Sequence, residues 1–256
     1  MSWKDFWYNT NNPKLEDYLY GPRHVLFILL AVGLAIFLWY IYKNKQEKDK
    51  RGLFKVIGFI FLGFETLSRI VNLIITNDYS IENIIKIILP MHICAIMVWV
   101  LIFGVLFNNR MLKQFAGIGG FLSTLTFLLY PAVGINRVYM TFTQLYSTLT
   151  HILGFITSIL LITIDRDVKY KYSEIWKVIL CFVIMFGYGV LLDFVIFPGS
   201  DYMYLVNNPL EIDMWIDYRI IFGIILGVYI NIFYVVELIK NKKKNNKKIR
   251  RRKRNV

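Results

Sequence analysis

Residues 23–42 read RHVLFILLAVGLAIFLWYIY, and from Val25 to Tyr42 no charge interrupts the run. About 20 apolar residues at a rise of ~1.5 Å each cross the ~30 Å hydrocarbon core of a bilayer. A helix apolar on every side has no use at a water-facing surface, so this stretch decides the fold class. The same character returns at 53–76, 84–107, 112–133, 143–164, 175–197 and 216–238. The reading is an all-α polytopic membrane protein, a seven-transmembrane-helix bundle over 23–238. An interfacial segment (1–22) precedes it and a basic tail (239–256) follows. Composition agrees: 57% of the 256 residues are hydrophobic, mean hydropathy is +0.50, and 18% are charged. Typical soluble domains carry about 25% charged residues. Residues 1–22 show no short apolar core before a small-residue cleavage site, so the first span is expected to be the targeting signal itself. Trp3, Phe6, Trp7, Tyr8, Tyr18 and Tyr20 suit a membrane interface.

The net charge of +13 is a local feature. Seven Lys and four Arg lie between Lys240 and Arg254 with no acid among them. A basic tail directly after a span marks the cytoplasmic side and rests on anionic lipid, so no nucleic-acid partner is expected. The loops repeat the pattern. Residues 43–52 carry Lys43, Lys45, Lys48, Lys50 and Arg51, residues 108–113 carry Arg110 and Lys113, and residues 165–177 carry Arg166, Lys169, Lys171 and Lys177. With the tail, one side holds 22 basic residues; the other holds four, Lys4, Lys14, Arg23 and Arg137. The positive-inside rule then puts the N-terminus outside and the C-terminus in the cytoplasm, in a multi-pass chain of the plasma membrane. Two cysteines, Cys94 and Cys181, make no disulfide framework.

Ionisable groups within spans are costly and tend to face the bundle interior. Glu65, Arg69 and Asn72 share one face of the second span, and Gln144, Ser147, Thr148 and His151 one face of the fifth. His24 opens the first span, His92 and Cys94 lie in the third, and Asp193 stands near the end of the sixth. With the orientation above, these groups gather in the outer half, as a polar cavity opening outward would require.

Cys94 and His151 fall at similar depth and suit a nucleophile with its base, since the thiolate is the reactive form of cysteine. The plain alternative is that Cys94 is a small packing residue. In an unbroken helix His92 points away from Cys94, which favours His151 as the base; Pro90 could relax that constraint. His92 then serves a headgroup or a hydrogen bond. Glu65 and Arg69 read either as a structural pair or with Arg69 on a lipid phosphate. Asp193 could orient a histidine or pair with Arg69 or Arg219. Ser147 and Thr148 line the cavity or bond back to their own helix. Arg69, Gln144 and Thr148 are possible oxyanion donors. Gly117, Gly119 and Gly120 read as a close-packing face, and Cys181 as packing. No metal site or cofactor is expected, because the three histidines have no ligand spacing.

Leu89-Pro90-Met91-His92-Ile93-Cys94 resembles the Leu-Pro-x-His-x-Cys signature of the YwaF-like bacterial integral membrane proteins. These are related to a mammalian multi-pass membrane acyltransferase of the TMEM class, involved in ether-phospholipid remodelling. Tyr130-Pro131, the stretch from Thr141 to His151, His24 and the block Gly199–Leu205 are similar to further family features, with Asp201 where an Asn is expected. The resemblance implies acyl transfer between glycerophospholipids through a Cys thioester, with Cys94 as nucleophile and His151 as its base. Its partners are membrane phospholipids, with no soluble cofactor. The alternative from another class is a non-enzymatic transporter or lipid-binding membrane protein using the same cavity.

Overall fold

The computed structural model describes residues 6–7, 13–15, 18–131, 135–168, 170–203, 205 and 217–254, and from residue 240 onward the backbone alone. Trp3 and Tyr8 of the aromatic segment, Lys4, Lys169, Tyr204 and the last two residues of the tail lie outside the described residues. The chain forms two compact units, Met1–Asp167 and Val168–Val256. The first holds α1 (Pro22–Tyr42), α2 (Glu47–Thr76), α3 (Ile81–Ile88), α4 (Ile93–Leu106), α5 (Arg110–Leu129) and α6 (Phe142–Thr163). The second holds α7 (Ile175–Val190), led by a 3-10 turn at Tyr172–Glu174 and extended by a π-helical stretch at Leu191–Ile196, and α8 (Tyr218–Arg254). Among the described residues there is no strand, only an isolated bridge between Lys14 and Arg137.

Six helical segments are long and apolar enough to cross a membrane, and α3 with α4, bent by 63° at their junction, makes a seventh if counted together. The chain is therefore an all-helical, multi-pass membrane protein. The expected third span, 84–107, is corrected to two helices. Pro90 is the physical reason, since it denies the helix a donor and pushes Leu89 to extended backbone (ψ 141). Other boundaries follow local chemistry. Pro22 opens α1, where a missing N–H costs nothing. Asn77 closes α2 in the left-handed conformation (φ 47). Helix α5 stops at Leu129, two residues before Pro131. Helix α8 continues through the basic residues to Arg254, with no Gly or Pro after Gly227 to end it.

Small residues bring α4, α5 and α6 close together. A Cβ added to Gly104 would lie 3.1 Å from the backbone nitrogen of Lys113. One on Gly120 would lie 2.6 Å from the Ser158 hydroxyl, and one on Gly154 would lie 2.8 Å from the Thr124 methyl. The Ser158 hydroxyl donates to the Ala116 carbonyl (3.2 Å). Gly117, Gly119 and Gly120 are all buried, as the close-packing reading expects.

An ionic network closes one end of this unit. The Lys113 Nζ meets Asp165 at 2.7 Å and Asn108 at 2.8 Å. Lys50 pairs with Glu47 (2.9 Å), Arg51 with Asp167 (2.8 Å) and Arg166 with Glu47 (3.4 Å). Lys50 and Lys113 are buried, although the sequence reads them as loop charges. Glu47, Asp165 and Asp167 bring their oxygens within 4.8 Å of one another, but four cations already neutralise these three carboxylates. The cluster is an ion-pair network. Away from this network, the N-terminal segment joins the loop before α6. Trp7 stacks on Phe142 (5.1 Å), and Arg23 donates to the carbonyls of Arg137 and Val138 (2.7 and 3.2 Å).

Candidate active site

Breaking a helix within a membrane frees carbonyls on one side and amides on the other, and both need partners. Arg69 on α2 answers the carbonyls. Its Nη1 donates to Ile87 and Ile88 (2.6 Å to the latter), the last residues of α3. Its Nη2 donates to Glu65 (2.9 Å), and the guanidinium lies over the Trp99 ring of α4 (5.3 Å). Glu65 is buried and also accepts from the Tyr146 hydroxyl of α6. Both terminal nitrogens of Arg69 are thus engaged within the protein, while its Nε is buried without a partner among the described residues. The pair secures the break and ties α2 to α3, α4 and α6.

On the amide side, His92 is the extended N-cap (φ −97, ψ 156) and α4 starts at Ile93. Cys94 is therefore the second residue of a helix. The first intrahelical bond runs from the Ile96 N–H to the His92 carbonyl (3.1 Å). The amides of Ile93, Cys94 and Ala95 precede it, at the positive end of the helix dipole. The Cys94 sulfur lies beside the Ser123 hydroxyl of α5, its hydrogen-bonding neighbour. Because His92 precedes the helix, the expectation that it points opposite to Cys94 around a regular helix does not apply. His92 is exposed.

His151 lies on α6. Its Nδ1 meets the Ser147 carbonyl at 2.7 Å. A carbonyl only accepts, so Nδ1 carries the proton and Nε2 is left as the basic nitrogen. The ring stacks on Phe127 of α5 at 3.7 Å. Ser123 and Phe127 are four residues apart, one helical turn (~6 Å) along a single face of α5. That face therefore carries the contacts of both Cys94 and His151. Among the described residues no hydrogen bond joins the two directly.

The family model for the TMEM164 family matches residues 19–239. The chain belongs to the TMEM164 family. No curated protein and no solved structure matches it. The matched region contains every candidate span and every candidate site residue of this TMEM164-family chain, and leaves out the basic tail.

The remaining candidates separate clearly. His24 is buried and both its nitrogens are spent: Nδ1 accepts from the Tyr20 amide (2.9 Å) and Nε2 donates to the Leu128 carbonyl (2.7 Å). It pins α1 to the end of α5. Gln144 completes a capping box with Thr141 at the start of α6. Ser147 contributes its carbonyl to His151. Thr148 is buried, three residues from His151, and its hydroxyl has no partner among the described residues. In the second unit, Asp193 sits in the π-helical stretch and accepts from the Ser200 hydroxyl (3.1 Å) and the Tyr202 amide (3.0 Å). It secures the Gly199–Leu205 block, whose Met203 packs against Gly189. Arg69 holds Glu65, and Arg219 holds Asp217. The Arg219 side chain brings the exposed Asp217 carboxyl down to about 2.

Sequence reasoning missed Ser123, Tyr146, Phe127 and Trp99. A lone Ser or an aromatic residue in an apolar span carries no signal until its neighbours are known. Only Pro90, four residues before Cys94, hinted that the cysteine begins a helix.

Proposed function

We propose that this TMEM164-family protein is a membrane-embedded acyltransferase of the YwaF-like kind. In this reading it moves acyl chains between glycerophospholipids through a thioester on Cys94. One observation carries it: a cysteine at the second position of a helix that starts at a proline break. The membrane is the plasma membrane, with the N-terminus outside and the C-terminus in the cytoplasm.

His151 Nε2 takes the thiol proton of Cys94. The sulfur attacks the ester carbonyl carbon of a donor phospholipid. The oxyanion that forms accepts hydrogen bonds from the amides at the start of α4, and Thr148 is a further donor. The C–O bond breaks, the leaving alkoxide takes the proton from His151, and a lysolipid departs. The hydroxyl of a lyso-acceptor then gives its proton to His151 and attacks the thioester carbon. The C–S bond breaks, and the thiolate recovers the proton.

The test is transfer from a labelled phospholipid to a lyso-acceptor by purified protein in nanodiscs. Wild type transfers and carries an acyl adduct on Cys94 by mass spectrometry; Cys94→Ala and His151→Ala do neither. Folded wild type without transfer or adduct, across several lipid classes, would replace this reading with a transporter or lipid-binding protein.

A further inference from the structure

An apolar groove of about 250 Å³ runs between α1 and α6, lined by Val32, Ala35, Ile36 and Trp39 on one side and Phe155 and Ile159 on the other. Thr163 completes the lining, and its hydroxyl is spent on the Ile159 carbonyl (2.7 Å). On α1 the lining runs from Val32 to Trp39, eight residues and ~10 Å of helix axis. There Lys43 lies over the ring faces of Trp39 and Tyr40, at 4.5 and 4.7 Å. Among the described residues no carboxylate pairs with Lys43, Lys45 or Lys48. Lys50 and Arg51, farther along the chain, do have acidic partners.

We propose that this groove is a binding site for one anionic phospholipid, its acyl chain along α1 and α6 and its phosphate at Lys43 and Lys45. An apolar channel on a membrane-spanning face excludes a polar occupant. A cation held on an aromatic platform at its end selects a negative headgroup over a zwitterionic one. The groove begins at Phe155, one helical turn past His151 on α6, and its occupancy does not depend on acyl transfer.

The experiment is native mass spectrometry of the purified full-length protein after titration with dioleoyl phosphatidylglycerol or dioleoyl phosphatidylcholine. Wild type retains one phosphatidylglycerol in preference to phosphatidylcholine. Lys43→Gln and Lys45→Gln each weaken that retention about fivefold, as expected for one lysine near a membrane surface. Ile36→Trp fills the groove from its exposed side, where the fold tolerates bulk, and abolishes retention of the same lipid. Equal retention of the two lipids by wild type overturns the proposal. So does phosphatidylglycerol retention unchanged in Lys43→Gln or in Ile36→Trp.

Discussion

Replacing Lys113 by Ala should be among the most damaging single changes in the first unit. At 2.7 Å from Asp165, and with an effective dielectric constant of about 20, the pair attracts by about 6 kcal/mol. Desolvation of two buried charges offsets much of this, so the pair itself adds little net stability. Removing one partner is different. The Asp165 carboxylate is buried and would keep only the Asp167 amide as a donor (2.9 Å). An uncompensated buried charge costs about 3–5 kcal/mol. For a chain of this size that lowers the thermal midpoint by roughly 6–20 °C, at about 2–4 °C per kcal/mol. Asp165→Ala should cost less, because Lys113 keeps Asn108 at 2.8 Å and Asp167 at 4.0 Å. The assay is thermal unfolding of detergent-purified protein, run as a double-mutant cycle. The double variant should lose about 2–3 kcal/mol less than the sum of the two single losses. A Lys113→Ala loss below about 1 kcal/mol, the range of an exposed pair, would refute the reasoning, as would additivity within about 0.5 kcal/mol.

Gly120→Ala brings a methyl to 2.6 Å from the Ser158 hydroxyl and should destabilise by about 1–3 kcal/mol, whereas Gly63→Ala, with open space around it, should change the midpoint little. Arg69→Met strips the donors from Ile87 and Ile88 and leaves Glu65 with Tyr146 alone; a loss of about 3–5 kcal/mol is expected in the same thermal assay, and Arg69→Lys, which cannot fork, should recover only part of it. In the loop after α2, the Ser80 amide and then its hydroxyl hold the exposed Asp78 carboxyl below its ordinary value. Because the folded carboxyl is depressed, its contribution is full above the ordinary range near pH ~4 and is lost as pH falls further. Amide exchange at Ser80, corrected for intrinsic rate, should hold constant from neutral pH down to that range; loss of protection beginning near pH ~6 would contradict this.

Hydropathy alone made the spans legible, because an apolar run of the right length has few other uses. The expected segments 23–42 and 143–164 each fall within about a residue of α1 and α6. What stayed hidden was set by contact. Lys50 and Lys113 count as loop charges in a topology argument, yet both are buried, and only the folded chain brings Asp165 to Lys113. Glu65 and Arg69 announce their pairing by spacing. That Arg69 also caps α3 depends on where Pro90 breaks the next helix. His24 and His151 look alike in the sequence, but one has both nitrogens bound to backbone and the other has one.

The two sides of the helix break are treated unequally, and that asymmetry is the strongest argument for chemistry at Cys94. Arg69 serves the carbonyls that α3 leaves behind. Among the described residues, His92 at the N-cap makes no side-chain capping bond to the amides that open α4. A developing oxyanion would supply the acceptor they need. A cysteine retained only for packing would sit as well in an unbroken helix. Pro90→Ala separates the cases, because it lets residues 89–92 become helical and spends those amides on intrahelical carbonyls. Stability should hold or rise, as a helix interior prefers Ala to Pro by about 3 kcal/mol. Acyl transfer should fall by about 10²–10³-fold, the cost of losing an oxyanion donor. Circular dichroism and thermal unfolding would confirm an intact fold, and the nanodisc assay would report the rate. Transfer at the wild-type rate in a folded Pro90→Ala protein would mean that the break serves packing, not catalysis.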